Sequence, residues 1–221
     1  MSELTASDIH ALVGTDSPTL LEIGCNDGTD TKKFLAEMPK AKIICFECDP
    51  RAIDRFYRQG PVGIHLVQAA VCDVDGTVKF HGSSGQPPEH RRNINHYTKL
   101  PEWDLSGSLY EPSGHLDYSP WVTFPSEKVC QVRATRLDTW KSMRPDIDKI
   151  DFMWVDVQGA EASVILGASK TLAVTRYFYT ECYDRPMYAG QVSLDALRSL
   201  LVGFEFSERF SDNVLFKSVD C

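Results

Sequence analysis

The sequence predicts a single α/β domain spanning residues 1–221, a three-layer sandwich around a mostly parallel sheet, and three features carry that prediction. The first is Leu20-Leu21-Glu22-Ile23-Gly24-Cys25-Asn26-Asp27-Gly28, an apolar strand that runs into a glycine-punctuated turn and then an amphipathic helix marked by Phe34 and Leu35. The second is Lys42-Ile43-Ile44-Cys45-Phe46, a second strand that ends in Glu47. Doubly wound folds place an acid about twenty residues after such a turn, where it meets ribose hydroxyls, so Thr19 to Glu47 reads as one β-α-β unit. The third is the return of the same rhythm near the C-terminus, where Ile150 to Asp156 reads as a buried central strand.

The remaining elements follow in order. Asp49-Pro50 supplies an N-cap and a first-turn proline, and Ala52, Ile53, Phe56 and Tyr57 then recur at helical spacing. His65 to Ala70 reads as a third strand, and Asp75-Gly76 as a turn before the alternating Thr77 to Phe80. From His81 to Phe124 the chain is rich in Gly, Pro, Ser, His and Trp without sustained periodicity. Insertions of this length in compact domains serve as lids or binding loops, so residues 81–124 are expected to form an inserted, mobile lid or substrate loop. Val129 to Arg133 resumes the strands. Val164, Ile165, Ala168 and Leu172 then mark a core-facing helix, and Tyr177 to Glu181 a further strand. Ser193 caps a helix carrying Leu194, Leu197, Leu200 and Leu201, which Gly203 is expected to end. Phe204 to Phe206 and Asn213 to Phe216 read as a terminal antiparallel pair.

Charge and cysteine content exclude several classes of protein. A formal net charge of −8 argues against a nucleic-acid partner, and the single basic trio His90-Arg91-Arg92 is too short to reverse that. No run approaches the ~18 apolar residues of a membrane span. Met1 to Leu4 lacks the basic region and apolar core of a leader, so a cytoplasmic protein is expected. Seven cysteines, an odd number scattered through apparent strands, do not form a disulfide framework. Cys45-x-x-Cys48 lies in and just after a strand rather than at a helix start, and reads as structural. No Cys/His spacing resembles a zinc site.

The charge of the first turn selects its ligand. A dinucleotide fingerprint has a third glycine that brings pyrophosphate to the helix N-terminus, but position 26 is Asn. Glu22, Asp27 and Asp30 crowd the turn with no basic residue before Lys32, which would repel an anion. S-adenosylmethionine carries no phosphate, and its ammonium and sulfonium suit an acidic loop, so it is the expected cofactor. An NAD-dependent oxidoreductase is disfavoured on the same grounds. A non-catalytic cofactor-binding or interaction protein is the alternative from another class.

Several separated segments resemble the FkbM family of S-adenosylmethionine-dependent methyltransferases. Glu22-Ile-Gly24-Cys-Asn26-Asp-Gly28 is similar to its Asp-x-Gly-Ala-Asn-x-Gly, and Phe46-Glu47-Cys48-Asp49-Pro50 to its Phe-Glu-Pro-Asn. Gln68-Ala69-Ala70 before Asp75-Gly76, and Arg136-Leu137-Asp138, follow the same order. Asp156-Val-Gln158-Gly159-Ala160-Glu161 is similar to its Asp-Val-Glu-Gly-Ala-Glu, with Gln158 in place of Glu. The resemblance implies a class I, Rossmann-like methyltransferase fold and O-methylation of a hydroxyl on a sugar, glycan or natural product. It also implies cofactor contacts by Glu22, Gly24, Asn26, Asp27, Gly28, Glu47, Cys48, Ala70 and Asp156, with Glu47 on the ribose and Ala70 beside the adenine.

The acceptor expected is a small molecule or carbohydrate, whose neutral hydroxyl needs a group to take its proton. Asp156 and Glu181, at the carboxyl ends of two strands, and His115 in the insertion are the candidates. Asp156 could instead cap the following helix, and Glu181 could pair with Arg185 or Arg176. Trp103, Tyr110 and Trp121 are candidates to stack on sugar faces. No third ligand accompanies the two acids, so no metal is assigned.

Overall fold

The structure, a computed structural model, describes residues 3–88 and 102–220. The basic trio at 90–92 and part of the predicted insertion lie outside the described residues.

A helix absent from the sequence reading opens the chain, α1 (Ala6–Val13). Its signal is a capping box: the Thr5 hydroxyl accepts from the Asp8 N–H at 3.2 Å, and the Asp8 carboxylate accepts from the Thr5 N–H at 2.8 Å. The expected unit follows as β1 (Thr19–Ile23), α2 (Thr29–Glu37), β2 (Lys42–Glu47), α3 (Pro50–Gln59) and β3 (His65–Gln68). Asp49 caps α3 through its side chain, with Pro50 in the first turn.

The third strand is shorter than the sequence suggests. An Ala69 N–H to Val67 O bond kinks the chain after Gln68, and β4 (Ala70–Val71) joins a separate three-stranded sheet with β5 (Gly76–His81) and β8 (Val129–Thr135). The insertion forms β6 (Ser84–Gly85), α4 (His115–Tyr118) and β7 (Val122–Thr123), with β6 and β7 paired antiparallel. Two acids of the insertion meet cations one turn apart on α3: Glu102 pairs with Arg51 at 2.8 Å and Asp104 with Arg55 at 2.5 Å.

The chain then runs through α5 (Leu137–Ser142), β9 (Ile150–Val155), α6 (Glu161–Leu166), α7 (Ser169–Leu172), β10 (Thr175–Glu181), α8 (Leu194–Leu200), β11 (Phe204–Phe210) and β12 (Asn213–Ser218). Helix α8 stops at Leu200, ahead of Gly203. Among the described residues the main sheet has the order β11-β12-β10-β9-β1-β2-β3, and only β12 runs against its neighbours. β1 sits at the switch point, with β2 on one side and β9 on the other, so a crevice opens at their carboxyl ends.

Period-two alternation divides the core into two halves. Leu21, Ile23, Ile44, Phe46, Met153, Val155, Phe178 and Phe216 pack on one face with residues of α5 to α8. Leu20, Ile43, Cys45, Phe152, Trp154, Tyr179 and Leu215 pack on the other with Ile9, Phe34 and Phe56 of the first three helices. Both faces are covered, as a mostly parallel sheet requires. Phe216, fully buried with its ring 6.5 Å from that of Phe178, ties the antiparallel strand to this core. Phe216→Ala should therefore cost about 3–5 kcal/mol in chemical denaturation, with two-state unfolding retained.

Candidate active site

The crevice is a cavity of about 640 Å³ at the carboxyl edge of the sheet, a size suited to a cofactor-like ligand. Its floor is the turn after β1. Gly24 has φ +86, and a Cβ built on it would lie 1.8 Å from the Asp156 carbonyl oxygen. The glycine therefore lets β1 and the end of β9 come together, a closer constraint than clearance for a ligand. Asn26 stands at φ 47, a left-handed conformation that Asn tolerates because its short side chain bonds locally. Its Oδ1 accepts from the Asp27 N–H at 2.9 Å and from Arg55 at 3.0 Å.

Glu47 closes one wall. Its carboxylate accepts backbone N–H bonds from Asn26 (2.8 Å), Cys48 (2.6 Å) and Asp49 (2.8 Å), so it fixes the β1 turn against the end of β2. Burial nevertheless pushes its carboxyl up to about 7. Beside it Cys48 and Ala70 line the cavity with Phe80 and Leu109, an apolar surface suited to a flat ring.

Two of the predicted contacts are corrected. Glu22 does not reach the cavity: it is buried, receives the Thr31 hydroxyl at 2.6 Å, and burial drives its carboxyl well up. Gly28 packs instead against Phe56 of α3 and Pro61 just after it, where a Cβ would lie 2.8 Å and 2.5 Å from them. Asp27 lines the cavity, but its carboxylate is engaged by the N–H and hydroxyl of Thr29 at the start of α2.

The opposite wall brings Asp156 and Glu181 together. Gln158, at φ 53, donates through Nε2 to Asp156 Oδ1 at 2.7 Å and to Glu181 Oε2 at 2.8 Å. Its carbonyl receives the Ser108 hydroxyl at 2.7 Å, and the Tyr188 hydroxyl lies 3.0 Å from its Oε1. The Tyr183 hydroxyl donates to Glu181 Oε1 at 2.8 Å. Burial raises the pKa of both acids, and the charge of Asp156 drives Glu181 well above the ordinary range. Neither expected arginine pairs with Glu181: Arg176 bonds the Val13 carbonyl, and Arg185 lies over the Tyr118 ring at 3.5 Å.

His115 also lines the cavity, buried between Phe124 and Tyr188 with ring separations of 5.5 and 5.4 Å. Burial lowers its pKa, which favours the neutral ring, and Nδ1 has no hydrogen-bond partner among the described residues. Trp103 and Trp121 meet edge to face at 4.7 Å on the cavity wall, whereas Tyr110 does not line it and packs beside Gly190. Glu161 is structural, accepting the Gly159 N–H at 3.0 Å. Ser108, Tyr183 and Tyr188 escaped the sequence reading because hydroxyl residues outside strands carry no periodic signal. Gln158 was visible as a departure from the family pattern, and its bridging geometry was not. Among the described residues no group of three or more His, Cys, Asp or Glu could hold a metal, and no helix is long and apolar enough to cross a membrane.

Among the described residues the parallel sheet has one reversed strand, between the last two parallel ones, and with a glycine turn after β1 and an acid ending β2 this is the arrangement of a class I, Rossmann-like methyltransferase domain, as the family match below also gives. Residues 22–210 match the methyltransferase FkbM domain, and the chain belongs to that family. It is 40% identical over 208 residues to the 2-O-methyltransferase NoeI of Sinorhizobium fredii (strain NBRC 101917 / NGR234), covering 93% of this chain and 80% of that one. Its fold is similar to the crystal structure of methyltransferase FkbM from Methylobacillus flagellatus KT, with TM-score 0.52 and 12% identity. That match covers 98% of this chain and 48% of the other, so the chain spans about half the length of that protein.

The contact between Gly24 and Asp156 sets a test. Gly24→Ala should lower the melting temperature and abolish cofactor binding together, because the added methyl displaces the end of β9 as well as the turn. Unchanged thermal stability would show that the two strand ends are not in contact.

Proposed function

We propose that the protein transfers a methyl group from S-adenosylmethionine to a hydroxyl of a sugar, glycan or glycosylated natural product. The observation that carries this reading is a single cavity lined by both the β1 turn with Glu47 and the Asp156/Glu181 pair. Similarity to a 2-O-methyltransferase supports oxygen as the acceptor atom.

The residues present fit the cofactor. Glu47 uses three of its roughly four acceptor positions on backbone amides, which leaves capacity for a ribose hydroxyl. Cys48, Ala70, Phe80 and Leu109 suit the adenine, and Asp27 and Asp30 supply negative charge near a cationic amino-acid moiety. When bound, S-adenosylmethionine supplies a methyl group already activated by the sulfonium. What remains for the protein is to hold the acceptor oxygen in line and to receive its proton.

Asp156 is the residue proposed to receive it. Asp156 would take the proton of the acceptor O–H bond, and the bound cofactor would supply the methyl group to that oxygen, the electron pair of its S–CH3 bond staying on sulfur. Burial and the charge of Asp156 drive Glu181 up further than Asp156, so of the two Glu181 holds a proton more readily. His115, neutral and buried, is proposed to bind a neighbouring acceptor group, and Trp103 and Trp121 to face the sugar ring. The described part of the insertion would close this end of the site. A cytoplasmic setting fits the free cysteines and remains part of the proposal.

Incubation with S-adenosylmethionine and a panel of neutral methyl glycosides, read by mass spectrometry for one added methyl group, tests the reading. Asp156→Asn should lower turnover by roughly 10²-fold or more while S-adenosylhomocysteine still binds. Joint loss of binding and folding would make Asp156 structural. Thermal shift by S-adenosylhomocysteine but not NAD separates the methyltransferase from an oxidoreductase, and absence of turnover on every acceptor favours a non-catalytic binding protein.

The titration of Glu47 gives a further expectation. Ribose hydroxyls donate to a carboxylate, so below about 7 binding must first expel the Glu47 proton. Calorimetry should find S-adenosylhomocysteine affinity rising with pH up to that point and levelling above it, and Glu47→Gln should flatten the rise. A profile unchanged by the substitution would remove Glu47 from the ribose site.

A further inference from the structure

Gln158 is held from several directions before it touches either acid. Its left-handed backbone, the Ser108 hydroxyl on its carbonyl and the Tyr188 hydroxyl beside Oε1 fix where the amide points. Tyr188 is itself buried and reaches the Ser106 carbonyl at 2.9 Å, so the insertion contributes to that fixing. The amide nitrogen has two hydrogens and two carboxyl neighbours, at 2.7 and 2.8 Å. Both contacts are therefore satisfied without a proton from either acid. A carboxylic acid in the same place has one hydrogen at most and cannot donate to both.

We propose that Gln158 is a positioning residue whose single amide nitrogen holds Asp156 and Glu181 side by side, so that the two carboxyls face the acceptor in one orientation. The proposal rests on the reading of Asp156 as the group that receives the acceptor proton. Donation from Nε2 favours the charged form of both acids and partly offsets the burial and mutual repulsion that drive them up. The other charged groups around the pair add little relief. Glu3, ahead of α1, and Glu161 of α6 raise Glu181 further, and Asp30 of α2 raises Asp156. Lys33 of α2 is a cation on the cavity wall, and Asp212, between β11 and β12, adds another acid there. Tyr183 donates to Glu181 and favours its charged form. Removing the amide should therefore shift the proton equilibrium of the pair upward, and replacing it with a third carboxyl should shift it more.

The test is a titration of the intact protein labelled with ¹³C at the Asp and Glu carboxyls, with Asp156→Asn and Glu181→Gln used to assign the pair. Gln158→Glu should move the pair's midpoint upward by about one pH unit or more, and the pH profile of kcat should move with it while the KM for S-adenosylmethionine changes little. Gln158→Asn keeps an amide that tolerates the left-handed backbone but is one methylene too short to span both acids. It should move the midpoint in the same direction by less, and it serves if the Glu variant folds poorly. Midpoints at the original pH in both variants would overturn the proposal. If Asp156→Asn leaves turnover intact while Gln158→Glu still moves the titration, the assignment of the base fails and the positioning role stands.

Discussion

The contact between the ends of β1 and β9 is the constraint on which the site depends. Two parallel strands at a switch point must diverge at their carboxyl ends for a ligand to enter, yet the groups that act on it must stay within reach of one another. Here the divergence begins after Gly24, whose missing side chain lets the Asp156 carbonyl lie against the turn. The Asp156 N–H bonds the Ile23 carbonyl at 2.9 Å, so the last rung of the ladder and the first bend of the turn share one point. The β1 turn and Asp156 are consequently tied together at one point.

A second theme is the use of acids out of water. Glu22, Glu47, Asp156, Glu161 and Glu181 all gather under or around the crevice, and burial raises each of them. Each is met by donors suited to its place: Glu22 by a threonine hydroxyl, Glu47 by three backbone amides, Glu161 by the Gly159 amide, and the remaining two by one glutamine amide. Such donors compensate part of the desolvation cost.

The described part of the insertion is integral to this arrangement. Its β6–β7 ribbon, the Arg51–Glu102 and Arg55–Asp104 pairs on α3, and the Ser108 hydroxyl on Gln158 anchor it to both halves of the crevice. Arg55 also reaches Asn26 in the β1 turn, so one side chain links the turn, α3 and the insertion.

Sequence by itself determined the sheet and the turn after β1. Strand periodicity, the Gly24 turn, the acid at Glu47 and the Asp49-Pro50 cap are local signals, and each is legible because backbone geometry fixes the residue types that carry it. Even there the reasons differed in part: Gly28 is required by Phe56 and Pro61, and Glu22 by Thr31, none of which is near in a linear pattern. Tertiary structure alone decided the acceptor end. Whether Glu181 meets an arginine or a glutamine, whether His115 or Tyr110 faces the cavity, and where Ala70 leaves the main sheet depend on contacts between segments distant in the chain. Polar side chains on irregular backbone have no period to read, and their partners are chosen only when packing brings the loops together.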